Sequence, residues 1–154
     1  MTVLRPRRPQ LSLAVQYALS TRGLPSSAQF RKWVRAALKQ DAVVTIRLVA
    51  QKEGRALNGN YRKKDYATNV LTFVFKDQAP FEGDLVLCAP VVAREARAQK
   101  KTLIAHCAHL TVHGLLHLQG YDHENNADAQ LMEQRETQIM AKLGYADPYR
   151  SPRK

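Results

Sequence analysis

Apolar residues alternate with polar or small ones at Leu11, Leu13, Val15 and Tyr17, the period of a half-buried β-strand. Gly23-Leu24-Pro25 breaks that run, and Ser26 or Ser27 can cap the helix that follows. In it Phe30, Trp33, Val34, Ala37 and Leu38 share one face, with Arg31, Lys32, Arg35 and Lys39 largely on the other. A second strand is predicted over residues 42–50, with Val44, Ile46 and Leu48 on one side. Residues 51–68 are polar and basic and suggest at most one short helical turn. Further strands are expected over 69–75 and 84–88, separated by a turn containing proline and glycine. Pro90 suits the first turn of a helix running to about residue 101. A histidine-bearing helix should cover 102–118. A last helix should open at Asn126 as cap and stop at Gly144, with Leu131, Met132, Ile139 and Leu143 as its apolar stripe.

This order predicts an α/β (α+β-like) fold: a single domain with a small mixed four-stranded sheet packed by helices. The core is expected over residues 11–145, with 1–10 and 147–154 as loose tails. The 154 residues suit one domain, and a hydrophobic fraction of 45% argues against extensive disorder. No apolar run is long enough for a membrane span. No signal-peptide core follows the basic start MTVLRPRRPQ, so a cytoplasmic location is expected. Two cysteines, Cys88 and Cys107, are too few for a disulfide framework.

The net charge of +11 is unevenly spread. Residues 1–101 carry 19 basic and 7 acidic side chains, and residues 102–154 carry 5 and 6. The first part therefore attracts polyanions, nucleic acid foremost, although general solubility would also account for such a balance.

All five histidines lie in the nearly neutral part, within HCAHLTVHGLLHLQGYDH. His113 and His117 are four apart, which on a helix stacks two imidazoles on one face about 6 Å apart along the axis. Zinc–nitrogen bonds of about 2.0–2.1 Å allow both to meet one ion. Gly120 can turn the chain sharply, and His123 three residues later can return to the same point. A histidine pair alone is commonplace on packed helices; the third histidine after a glycine turn makes the set a zinc site on the helix and following turn. The spacing is that of the metzincin motif H-E-x-x-H-x-x-G-x-x-H, with Gly114 in place of the glutamate base. Three protein ligands leave a fourth position for water, the pattern of catalytic rather than closed structural zinc. Cys107 sits about 120° round the helix from His113 and is expected to be a core thiol. His109 is expected as a packed residue or a support to a ligand, His106 as partly exposed. Asp122 could orient a ligand imidazole or cap the turn.

The segment HGLLHLQGYDH resembles the H-G-x-L-H-L-x-G-Y-D-H signature of the YbeY endoribonucleases, bacterial rRNA maturation factors. LNGNYRKKDYATNVLTF is similar to that family's L-N-x-x-Y-R-x-K-D-x-x-T-N-V-L-S-F stretch. GDLVLCAPVVAREA is similar to its G-D-I-x-I-x(5)-V-x-x-E-A stretch, and ME…ETQIMAKLGY fits its end. The departures include Val74, where proline is common, and Gln119, where an apolar residue is usual. The resemblance implies zinc bound by His113, His117 and His123, an RNA-contacting arginine at Arg62, and cleavage of single-stranded RNA. It further implies a role in maturing the 3′ end of small-subunit ribosomal RNA and in ribosome quality control. The partners would be the small subunit and its assembly factors, in the cytoplasm.

The residues agree at one further point. Tyr61-Arg62-Lys63-Lys64 joins an aromatic to a basic cluster: an arginine forks two hydrogen bonds onto a phosphate, and a tyrosine stacks on a base. The same cluster is also what a solvated loop looks like. The expected chemistry is zinc-assisted cleavage of an RNA phosphodiester, with Arg62 offsetting charge at phosphorus. The rivals are a zinc peptidase, disfavoured by Gly114, and a non-catalytic, zinc-braced RNA-binding or ribosome assembly factor.

Overall fold

Four strands and five helices form among the described residues, 8–64, 67–122 and 125–150 of this computed structural model. In chain order they are β1 (Leu11–Tyr17), α1 (Ser27–Ala37), β2 (Ala42–Val49), α2 (Gln51–Arg62), β3 (Val70–Lys76), β4 (Phe81–Cys88), α3 (Ala89–Ala98), α4 (Leu103–Leu118) and α5 (Asn126–Lys142). The strands form one mixed sheet in the order β1-β2-β4-β3, in which β1, β2 and β4 are parallel and β3 is antiparallel to β4. This is the α/β class and small mixed sheet that the pattern predicts.

Alternation along the strands sorts side chains to two faces. Val44, Ile46, Leu48, Leu85 and Leu87 face a core shared with Phe30 and Trp33 of α1, Leu115 and Leu116 of α4, and Met132 and Ile139 of α5. Val49, Leu71, Val86 and Cys88 face a smaller cluster completed by Leu57 of α2 and Val91 of α3. Helices α2 and α4 thus lie on opposite faces of the sheet. Because α4 is apolar around most of its circumference, it is enclosed on nearly every side, as such helices must be. Ser26 caps α1 in a reciprocal pair, its hydroxyl accepting from the Gln29 amide while the Gln29 side chain accepts from the Ser26 amide.

The clearest departure from the sequence pattern is α2, a three-turn helix where at most one turn was expected. Its inward positions are Gly54, Leu57 and Asn58. Only the leucine is apolar, so no hydrophobic stripe marks the helix. Gly54 lets it approach β4 closely, since a Cβ there would lie 2.9 Å from Cys88 Sγ. Its first turn is tied to β2 by Arg47, whose guanidinium donates twice to Glu53 at 2.6 and 2.9 Å. Lys63 ends it in the left-handed conformation, φ 61°. Tyr61 and Arg62 are therefore the last residues of a helix.

Smaller corrections follow. Strand β4 starts three residues before the expected position and β3 one residue after it. The cap of α5 is Asn125, whose side chain accepts from the Asp128 amide. Leu131 is 57% exposed rather than part of the α5 stripe, which is Met132, Glu136, Ile139 and Met140. His106, expected to be partly exposed, is only 3% exposed. Residues 147–150, expected to begin a loose tail, contact the body of the protein, with Lys101 Nζ donating to the Pro148 carbonyl at 2.9 Å.

Candidate metal centre

Thr102 starts α4 by accepting from the Ala105 amide, and the helix then carries His106, His109, His113 and His117 in turn. His113 and His117 lie one turn apart on one face, both half-buried. The helix ends as the glycine predicts. Gly120 takes φ 101°, its amide donating to the His117 carbonyl at 3.1 Å and the Tyr121 amide to the Leu116 carbonyl at 3.0 Å. This is a Schellman turn, and it sends the chain back along α4 towards the histidines.

The reversal has a chemical result. The Tyr121 carbonyl lies 3.1 Å from His117 Nδ1. A carbonyl only accepts, so Nδ1 carries the proton and Nε2 keeps the lone pair that binds a metal. His113 Nδ1 lies 2.5 Å from Glu136 Oε1 of α5. Burial would push the Glu136 carboxyl up, but the nearby His109 and the hydrogen bonds from His113 and Tyr149 hold it below the usual carboxylate range. It is a carboxylate and accepts from His113. Both imidazoles are thus oriented at Nδ1 with Nε2 as the metal-binding atom, the arrangement expected of metal-ligating histidines. In their chemistry these two imidazoles fit zinc, which takes histidine nitrogen.

The third expected ligand, His123, lies outside the described residues, and among those described no three His, Cys, Asp or Glu side chains form a metal-binding group. Its neighbour Asp122 is half-buried, on the rim of a hollow of about 300 Å³ lined by Gly120, Tyr121, Asp128 and Leu131. The group at His117 Nδ1 is the Tyr121 carbonyl. Cys107 is buried as expected, and burial raises its thiol to about 12. His106 turns to Glu95, its Nε2 lying 2.9 Å from Oε1, and its pKa is lowered by burial against the opposing pull of Glu95. His109 lies between the two, with Nε2 3.4 Å from Glu136 Oε1 and its ring edge-on to Tyr149 at 5.3 Å.

Arg62 is exposed at the end of α2. Among the described residues it has no hydrogen-bond or ion-pair partner, and none joins it to the histidines. Tyr61 packs on Phe73 of β3 with ring centroids 4.5 Å apart. Thr72, on the other face of β3, lies beside Gly114 of α4. Arg62 and the histidine pair therefore flank the edge strand β3 from opposite faces of the sheet.

Residues 19–144 match the sequence family described as Endoribonuclease YbeY. The chain belongs to this family. The Endoribonuclease YbeY of Nitrosospira multiformis is 55% identical over 160 residues, spanning 94% of this chain and 85% of its own. That of Methylobacillus flagellatus is 56% identical over 146 residues, spanning 95% and 98%. A protein of Thermotoga maritima, solved in solution, has a similar fold at TM-score 0.56 and 23% identity, covering 90% of this chain and 99% of its own. No helix among the described residues is long and apolar enough to cross a membrane.

In this YbeY family member the sequence reading missed Glu136 and Tyr149. A signal for Glu136 was present: it stands between Met132 and Ile139 at core spacing, an acid in an apolar stripe. Such a residue needs a buried partner, but nothing local says which. Tyr149 carries no signal, because it lies in a polar stretch beyond the last helix.

Proposed function

We propose that this RNA-cleaving hydrolase works through one zinc ion held by His113, His117 and His123. Its substrate is single-stranded RNA at the 3′ end of small-subunit ribosomal RNA, and it acts in the cytoplasm with the small subunit and its assembly factors as partners. The observation that carries the metal reading is the pair of imidazoles one helical turn apart, each engaged at Nδ1 by an acceptor. Family membership supports the reaction class, and the basic charge of residues 1–101 supports the polyanionic substrate.

When bound, zinc supplies Lewis acidity towards a phosphoryl oxygen and eases deprotonation of an attacking hydroxyl or water. The chain does the rest. Glu136 and the Tyr121 carbonyl hold the ligand rings in one tautomer. Arg62 extends from α2 and binds an RNA phosphate through paired N–H donors, and Tyr61 offers a ring face for stacking. An RNA strand that meets both Arg62 and the histidines runs across the β3 edge, where Val74 and Phe75 are exposed.

The test is metal analysis and RNA cleavage on wild type, His117→Ala and Arg62→Glu in parallel. The histidine variant should lose both metal and cleavage; the arginine variant should keep its metal and lose RNA affinity and cleavage. Cleavage surviving in metal-free His117→Ala would refute the zinc reading, and RNA binding without turnover by zinc-loaded wild type would favour a zinc-braced assembly factor. A 2′,3′-cyclic phosphate on the products would assign the attack to the RNA's own 2′-hydroxyl.

A further inference from the structure

Glu136 is 0% exposed, in the middle of α5, and its carboxylate meets groups from α4 and from the C-terminal segment. Oε1 accepts from His113 Nδ1 at 2.5 Å, with His109 Nε2 at 3.4 Å. Oε2 accepts from the Tyr149 hydroxyl. The tyrosine comes from a segment folded on itself and pinned to the body. Asp147 Oδ1 accepts from the Tyr149 amide at 2.9 Å and from Thr137 Oγ1 of α5 at 3.4 Å, and Lys101 Nζ holds the Pro148 carbonyl. The Tyr149 ring also closes edge-on over His109.

We infer that Glu136 and Tyr149 form a positioning relay for His113, through which the docked C-terminal segment controls how firmly the metal is held. The inference rests on the zinc reading above. A carboxylate can only accept, so it fixes the proton on His113 Nδ1 and points Nε2 at the metal. Its negative charge makes that nitrogen a better donor to the ion, whereas the acceptor at His117 Nδ1 is a neutral carbonyl. Tyr149 occupies the second carboxylate oxygen, so Glu136 cannot rotate away from the imidazole without breaking a buried hydrogen bond. The two ligands on α4 are therefore supported unequally. One is locked by the helix's own C-terminal turn, the other by a contact that spans α4, α5 and the end of the chain.

A merely structural role for Glu136, as the polar link between α4 and α5, would alter stability and leave metal affinity alone. The experiment uses full-length wild type, Glu136→Gln and Tyr149→Phe. Zinc affinity is measured by chelator competition, the absorption spectrum is recorded with Co2+ alone, and thermal unfolding is followed on the metal-free proteins. Glu136→Gln should weaken zinc by about 10–100-fold and change the Co2+ spectrum. Tyr149→Phe removes one hydroxyl at a partly exposed residue and should weaken zinc several-fold while the metal-free protein unfolds near the wild-type midpoint. If Glu136→Gln does not fold, the Tyr149→Phe affinity decides. Zinc affinity unchanged in both folded variants overturns the relay, whatever happens to stability, and leaves the zinc reading intact. Wild type that binds no metal overturns both.

Discussion

A Cβ added to Gly114 would lie 2.5 Å from Leu85 Cδ2 and 2.8 Å from Leu85 Cγ. Leu85 is fully buried in the centre of the sheet, so α4 rests directly on β4 at this residue. Gly114 occupies the position at which metzincin peptidases carry their glutamate base. Here no side chain fits, and the position serves packing.

Gly114→Ala should therefore destabilise the protein by about 1–3 kcal/mol through overpacking, partly offset by alanine's better helix propensity of about 1 kcal/mol. Gly114→Glu should fare far worse, because it adds a buried charge to the clash. Urea unfolding followed by fluorescence of the single, buried Trp33 measures both. A Gly114→Glu protein of wild-type stability would contradict this packing.

Metal removal should lower the unfolding midpoint, since an ion that binds only the folded chain stabilises it by mass action, about 4 kcal/mol at a thousandfold excess over Kd. The effect belongs to the histidines. In His117→Ala the difference between zinc-loaded and chelated samples should vanish, which differential scanning fluorimetry with and without chelator checks.

Acid should weaken the fold through His106. Burial keeps its imidazole neutral to lower pH than in the unfolded chain, even with Glu95 pulling the other way. Below about pH 6.5 the unfolded chain takes up a proton that the folded chain does not, so stability present above that pH is lost as the pH falls. His106→Gln keeps a donor for Glu95 and lacks the titration. Its loss of stability between pH 7.5 and 5.5 should be smaller than that of wild type, and an equal loss in both would remove His106 from the explanation.

Ser26→Ala should cost about 1 kcal/mol by removing the α1 cap and leave RNA cleavage unchanged, since Ser26 lies at the opposite end of α1 from Ala37, where that helix accepts a hydrogen bond from Gln119 of the α4 turn. Chemical denaturation and a cleavage assay test the two halves separately.

Much of this molecule is written locally. The alternation of Leu11, Leu13 and Val15, the Ser26 cap, Pro90 at a helix start and the Gly120 turn all act within a few residues, where backbone sterics and hydrophobic periodicity decide the outcome. The spacing of His113 and His117 belongs to the same class, because a helix converts a separation of four into a shared face. Helix α2 escaped because its inward face is glycine, leucine and asparagine, a surface that becomes buried only when Cys88 and Leu71 are laid against it.

Other relationships join residues far apart in the chain. Asn69 Nδ2 donates to Glu95 at 3.0 Å, and Glu95 meets His106 at 2.9 Å, so three separate segments share one polar contact. Glu136 lies 23 residues from His113 and 13 from Tyr149, and no periodicity links them. The sequence determined which residues could bind a metal and which could bury an acid. The tertiary structure decided that the acid meets His113, because buried polar groups choose partners by how helices pack and which faces they turn to each other, a property no short stretch of chain possesses.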